Sequence, residues 1–202
     1  TWFLYVNNTI FMKIGITGGI GSGKTFICQL FKAMAVPVYN ADDEAKELMN
    51  TDLRIKERLI AEFGKETYKD GKLDRAFLAE QIFSDKAKLE LVNGIVHPIV
   101  IQAAKDWAEQ QKSRYSLKEA ALLFESGSYK DLDYTILVTA PLHIRVKRVM
   151  ERDGITEEQV MERINKQLTD EEKLKLADFV IINDGTTPLL PQVWTLHQKF
   201  LK

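Results

Sequence analysis

Eight residues near the start of the chain, Gly18-Gly19-Ile20-Gly21-Ser22-Gly23-Lys24-Thr25, have the types and the spacing to hold a polyphosphate. They fill every fixed position of the pattern G-x-x-x-x-G-K-[ST]. Glycines let the backbone turn its N–H groups inward around phosphate oxygens. Lys24 brings a point charge to the outer phosphates, and the Thr25 hydroxyl is of the kind that ligates Mg²⁺ beside them. The chemistry indicated is the binding of a nucleoside triphosphate. Gly19, Ile20, Gly21, Ser22, Gly23, Lys24, Thr25 and the following Phe26 are its expected contacts, with Thr25 on the metal.

Such a loop needs a buried strand before it and a helix after it. Met12-Lys13-Ile14-Gly15-Ile16-Thr17 is short and apolar enough for the strand. After the loop, Phe26, Ile27, Leu30, Phe31 and Met34 recur with helical spacing and predict one buried face. The free N–H groups at that helix's start would add to the phosphate site. Further apolar runs predict strands at Pro37-Val38-Tyr39, Ala120-Ala121-Leu122-Leu123-Phe124, Tyr134-Thr135-Ile136-Leu137-Val138 and Phe179-Val180-Ile181-Ile182. Runs rather than alternation predict strands buried on both faces of a parallel sheet wrapped by helices. Residues 43–118 read as almost all helix, with one turn at Lys69-Asp70-Gly71-Lys72, and so as an inserted helical subdomain. Residues 141–175 read as a second, charged helical excursion.

Ligands of an open α/β sheet gather at the carboxyl ends of its strands. Three further groups stand there. Asp42 follows the second strand and suits either a base accepting a hydroxyl proton or a helix N-cap. Glu125 follows the third and suits a water-mediated Mg²⁺ contact, an ion pair with a basic side chain or a plain solvated loop carboxylate. Arg145, Arg148 and Arg152, spaced i, i+3, i+7, stack on one helical face and suit a lid that neutralises phosphate charge. Asn183, at the end of the last strand, suits an ordinary turn or a place beside the adenine. His97-Pro98 reads as a packed or capping histidine before a helix's first turn.

The 202 residues carry 28 basic and 29 acidic side chains, a net charge of −1, which argues against charge-driven nucleic-acid binding. Cys28 is the only cysteine, so an intrachain disulfide is excluded, and it reads as a small core residue. The sequence contains neither a stretch suited to span a bilayer nor a signal-peptide pattern, so it reads as a cytoplasmic protein. Met12 reads as the functional start, with residues 1–11 an upstream extension or a cover for the sheet edge.

As an ordered set these motifs resemble the dephospho-CoA kinase family. The similarity runs from Thr17-Gly18-Gly19-Ile20-Gly21-Ser22-Gly23-Lys24 through Asn40-Ala41-Asp42, His97-Pro98, Leu122-Leu123-Phe124-Glu125-Ser126-Gly127 and Arg148/Arg152. It ends with Arg163-Ile164-x-x-Gln167 and Ala177-Asp178-x-x-Ile181-x-Asn183-x-Gly185. The resemblance implies a P-loop kinase fold: an α/β protein with a five-stranded parallel sheet. Residues 12–45, 116–140 and 176–202 would form the nucleotide-binding core, 46–115 a helical CoA-substrate region and 141–175 a lid. It implies transfer of the γ-phosphoryl of Mg·ATP to the 3′-hydroxyl of dephospho-CoA. Asp42 would be general base, with Lys24 and Arg148 catalytic. Arg148, Arg152 and Asn183 would bind ATP, and Asp42, His97 and Glu125 the acceptor. The partners are then small molecules, ATP and dephospho-CoA, without nucleic acid or membrane; the chain reads as a monomer, with an oligomer left open.

The chain departs from the family at three places. Asn40 replaces an Asp, Phe26 replaces a second hydroxyl residue, and Glu119-Ala120-Ala121 replaces a stretch that often holds Asp and Pro. The rival readings are a nucleotide or nucleoside kinase and a P-loop GTPase switch or nucleotide sensor. The GTPase reading lacks an Asn-Lys-x-Asp guanine motif and a strand ending in Asp-x-x-Gly.

Overall fold

The fold was read from a computed structural model that describes residues 11–83 and 85–202. The extension read at residues 1–11 lies, apart from Phe11, outside the described residues. In chain order the elements are β1 (Met12–Thr17), α1 (Lys24–Ala33), β2 (Val38–Asn40), α2 (Ala41–Thr51), α3 (Leu53–Phe63), β3 (Tyr68–Lys69), β4 (Lys72–Leu73), α4 (Arg75–Ile82) and α5 (Lys86–Glu109). Then come β5 (Tyr115–Glu119), β6 (Tyr134–Thr139), α6 (Leu142–Asp153), α7 (Glu157–Ile164), α8 (Asp170–Leu176), β7 (Phe179–Ile182) and α9 (Leu189–Phe200). The chain divides into two compact units, one of residues up to Tyr39 with Gln111–Lys202, the other of Asn40–Gln110.

The first unit is built on a five-stranded parallel sheet in the order β2-β5-β1-β6-β7. β1 lies centrally, with Ile14 opposite Leu117 on β5 and Ile16 opposite Ile136 on β6. These side chains, Val138 and Ile181 form one core with Ile27 and Phe31 of α1 and Val193, Leu196 and Phe200 of α9. Phe26 departs from the expected helical face. It is 52% exposed in the first turn of α1, at the loop, and the buried positions are Ile27, Cys28 and Phe31.

The strand expected at residues 120–124 is displaced. The strand is Tyr115–Glu119, and Ala121 to Gly127 form turns beyond its carboxyl end. Leu123 and Phe124 are apolar because they are buried, while Leu122 between them is 47% exposed. Leu123 packs with Leu132 against the bare face of Gly15, where a Cβ would lie 2.6 Å from each. An apolar run reports burial, not backbone type. The expectation of strands buried on both faces also fails for β7. As the edge strand it leaves Val180 and Ile182 half exposed. Gln192 of α9 occupies the open edge there. Its amide accepts from Ile182 N at 2.9 Å and donates to Ile182 O at 3.0 Å, which blunts pairing with another chain.

In the second unit, Ile55 and Leu59 of α3, Leu78 of α4 and Val92, Ile95 and Val96 of α5 share a separate core. Its helices begin on polar side chains. Asn40, Asp52, Asp74 and Asp85 each accept from an amide of the first turn that follows. The expected turn at residues 69–72 is the tip of the β3–β4 hairpin, with Asp70 and Gly71 both at positive φ. Pro98 does not open a helix as expected; it lies inside α5. Proline removes the amide that would bond the carbonyl of Gly94. Gly94, His97 and Pro98 are all exposed, so water reaches that face and α5 continues.

Candidate active site

The glycine loop joins β1 to α1 as its pattern requires. α1 begins at Lys24 behind Gly23, which is left-handed (φ 91°) and supplies no side-chain cap. A helix start without a side-chain cap is suited to an anion. A Cβ on Gly23 would also fall 2.3 Å from Asn183 Nδ2, so backbone and neighbour both demand glycine. The Lys24 ammonium donates to the loop's own Gly18 O at 2.8 Å.

Thr25 Oγ1 donates to Glu119 Oε1 at 3.0 Å. Glu119 is the last residue of β5 and only 7% exposed, so a carboxylate stands beside the loop at the carboxyl end of the central strands. The sequence reading missed it. Placing the strand at residues 120–124 put Glu119 at the wrong end. The available signal was its position where the family often holds Asp. Cys28 lies one turn beyond Thr25; burial first, and then the Glu119 carboxylate, push its thiol far above the ordinary range.

The three arginines of α6 share a face but not a task. Arg145 is buried, donates from Nε to Ile20 O at 3.0 Å and pairs through Nη1 with Asp170 at 2.7 Å. Arg148 donates from Nη2 to Asn183 O and Oδ1, both at 3.2 Å, and reaches Gly21 O at 3.4 Å. Arg152 is mostly exposed and pairs with Asp153 at 2.7 Å, and Asp153 also meets Arg163 at 2.9 Å. Arg152 first, with help from Arg163, holds the Asp153 carboxyl below its usual range.

Asn183 is buried, and its Nδ2 donates to Ser22 O at 2.8 Å. Its side chain therefore joins the loop to Arg148. Glu125 takes the ion-pair reading, neither a solvated loop carboxylate nor a group facing the phosphate loop. Its Oε1 accepts from Leu168 N at 3.0 Å and lies 3.1 Å from the Nζ of the fully buried Lys173. Gly19, Ile20, Gly21, Ser22, Lys24, Thr25, Phe26, Arg148, Arg152, Asn183 and Glu125 all belong to the first unit.

Asp42 and His97 belong to the second. Asp42 is exposed in the first turn of α2 but is not its cap. That role falls to Asn40, whose Oδ1 accepts from Asp43 N at 3.1 Å while its Nδ2 donates to Asp43 Oδ2 at 2.8 Å. His97 is exposed on α5.

Residues 12–188 match the family described as dephospho-CoA kinase. The chain belongs to the dephospho-CoA kinase family. It is 43% identical over 186 residues to a dephospho-CoA kinase of Bacteroides fragilis strain YCH46, covering 92% of this chain and 91% of that one. Among solved structures it is similar to TT1252 from Thermus thermophilus, with a TM-score of 0.83 and 34% identity over 95% of this chain and 98% of that one. It is also similar to the dephospho-CoA kinase of Campylobacter jejuni, with a TM-score of 0.69 and 25% identity over 94% and 97% of the two chains. These matches bear out the expected P-loop kinase fold and lend nothing to the rival readings as nucleotide kinase or nucleotide switch.

Proposed function

We propose that this protein transfers the γ-phosphoryl of ATP to the 3′-hydroxyl of dephospho-CoA, giving CoA and ADP. The observation that carries the reading is the glycine loop, with Lys24 and the Thr25–Glu119 pair at the head of α1, in a chain of this family. ATP lies with its phosphates along residues 21–26, and Lys24 exchanges Gly18 O for a phosphate oxygen. Phe26 lacks a hydroxyl but keeps a backbone amide for this role. Arg148 and Arg152 turn from Asn183 and Asp153 to the phosphates, and residues 141–175 cover the nucleotide. Asn183 supports this arrangement from behind the loop.

Asp42 accepts the acceptor's hydroxyl proton as its oxygen attacks, which contributes roughly 10²–10⁴-fold. The remaining acceleration comes from alignment and charge neutralisation. His97 and the helical region expected at residues 46–115, most of it in the second unit, contact dephospho-CoA, and Glu125 supports acceptor binding.

The donor set fits Mg²⁺, which takes one or two carboxylates beside phosphate oxygens and water. Thr25 and Glu119 would hold it, their oxygens already 3.0 Å apart. When bound, the ion neutralises charge on the outer phosphates. Among the described residues no helix is long and apolar enough to cross a membrane. A small-molecule biosynthetic kinase family supports placing the enzyme in the cytoplasm, and we take it to act as a monomer. The test is ADP production from Mg·ATP with and without dephospho-CoA, beside a panel of nucleosides and nucleotides. Dephospho-CoA-dependent turnover supports the reading, and turnover with a nucleoside alone overturns it.

A further inference from the structure

The tip of the phosphate loop is fastened from outside at every group that Ile20 possesses. Its side chain sits in the small core that α6 and α7 form around Val146, Val149 and Val160. Its carbonyl accepts from Arg145 Nε at 3.0 Å, and its amide donates to Gln167 Oε1 at 3.0 Å. The fastening segment is itself anchored. Leu168 N, the next amide after Gln167, donates to Glu125, Asp170 pairs with Arg145, and Lys173 lies against Glu125. Resting on the kinase reading above, we infer that Gln167 is a positioning residue of the phosphate loop, holding its tip in binding shape before the nucleotide arrives.

The physical case lies in what the loop must do. Successive amides of a phosphate loop have to point inward together, and a free glycine-rich segment would lose that order. The Ile20 amide points elsewhere, onto Gln167, so one peptide plane at the tip is fixed by the protein's own side chain. Holding a loop in its bound conformation raises affinity by removing the ordering cost from the binding step. Glutamine suits the position because it is a neutral acceptor. Arg145 is already matched by Asp170, so no charge is added beside a site for a polyanion. Gln167 closes the motif Arg163-Ile164-x-x-Gln167, and the site residues named above include no use for it.

The test is Gln167→Met, which keeps the length and removes the acceptor. Unpairing a part-buried amide weakens Mg·ADP binding about 5- to 30-fold by calorimetry. Affinity for dephospho-CoA stays within about twofold, and the melting temperature within about 3 °C. Equal weakening of both ligands with a large fall in melting temperature would make Gln167 a general structural residue and overturn the inference. So would Mg·ADP affinity within about twofold of the unaltered protein.

Amide hydrogen exchange of the unaltered, nucleotide-free protein tests the same point without a variant. Protection of the Ile20 amide is expected, and exchange at the rate of an open loop would overturn the inference. Mg·ADP binding needs no acceptor. A protein that ignores dephospho-CoA yet loses Mg·ADP affinity on Gln167→Met sinks the acceptor assignment and leaves Gln167 in its place.

Discussion

Glu125 and Lys173 offer a perturbation whose size follows from burial. Lys173 has no exposed side-chain surface, Glu125 has 16%, and their charged atoms lie 3.1 Å apart. Glu125→Gln preserves shape and still offers an oxygen to Leu168 N, but it leaves the Lys173 ammonium buried without its counter-charge. Removing one partner of a buried pair costs about 3–5 kcal/mol, and the partial exposure of Glu125 places this case near 3. At about 2–4 °C per kcal/mol for a chain of this size, the melting temperature should fall by roughly 6–12 °C. Replacing the whole pair removes the desolvation cost together with the attraction. The double variant Glu125→Gln/Lys173→Met should therefore return to within about 3 °C of the starting value.

Calorimetric melting at neutral pH measures both. If Glu125→Gln melts with the parent, or the double variant melts with the single one, the ion-pair argument is wrong. The double variant also separates structure from substrate contact. With stability restored, a KM for dephospho-CoA within about twofold of the parent confines Glu125 to a bracing role. A rise of about tenfold or more restores it as an acceptor contact.

Asp42→Asn should bind Mg·ATP normally and lose about 10²–10⁴-fold in kcat; a near-parental rate removes Asp42 as base. Thr25→Ala should raise the Mg²⁺ concentration needed for half-maximal rate by about tenfold, and an unchanged Mg²⁺ titration would remove Thr25 from the metal. The Cys28 thiol, buried and shifted upward, should resist Ellman's reagent at mildly alkaline pH until the protein is unfolded; prompt labelling of the native protein would contradict its placement. Burial pushes Tyr68 up to about 12 while its hydroxyl donates to Met49 O at 2.7 Å. Its folded value exceeds the unfolded one, so its stabilisation is complete below pH 10 and lost as pH climbs through about 12. Tyr68→Phe should remove that alkaline dependence, and melting curves across this range decide it.

The parts of the site legible in sequence are those whose chemistry is local. Eight consecutive residues make the phosphate loop because every group that faces the ligand lies within them. The strand–loop–helix context was readable from apolar spacing for the same reason. The loop's supports were not readable as supports. Asn183 reaches Ser22 across 161 positions and Gln167 reaches Ile20 across 147. A single hydrogen bond between distant residues leaves no spacing pattern. Arg145, Arg148 and Arg152 were readable as one helical face, yet burial against Ile20 and Asp170 set the first apart. Glu119 escaped because turn residues Leu123 and Phe124 are as apolar as strand residues, which moved the expected strand end past it. Pro98 escaped because solvent exposure lets a helix continue through a proline.

Asn40 follows from the charge around it. The first turn of α2 carries Asp42, Asp43 and Glu44, which favours the helix start but crowds three carboxylates. An aspartate at residue 40 would serve equally as N-cap acceptor. It could not donate, and its second oxygen would face Asp43 Oδ2 where Asn40 Nδ2 now makes a 2.8 Å bond. Asparagine turns that repulsion into an attraction, and Lys46 takes the other Asp43 oxygen at 2.8 Å. Asp43 is thus spent on the helix start. The departure from the family pattern removes a charge from residue 40 and leaves the proposed base where the pattern requires it.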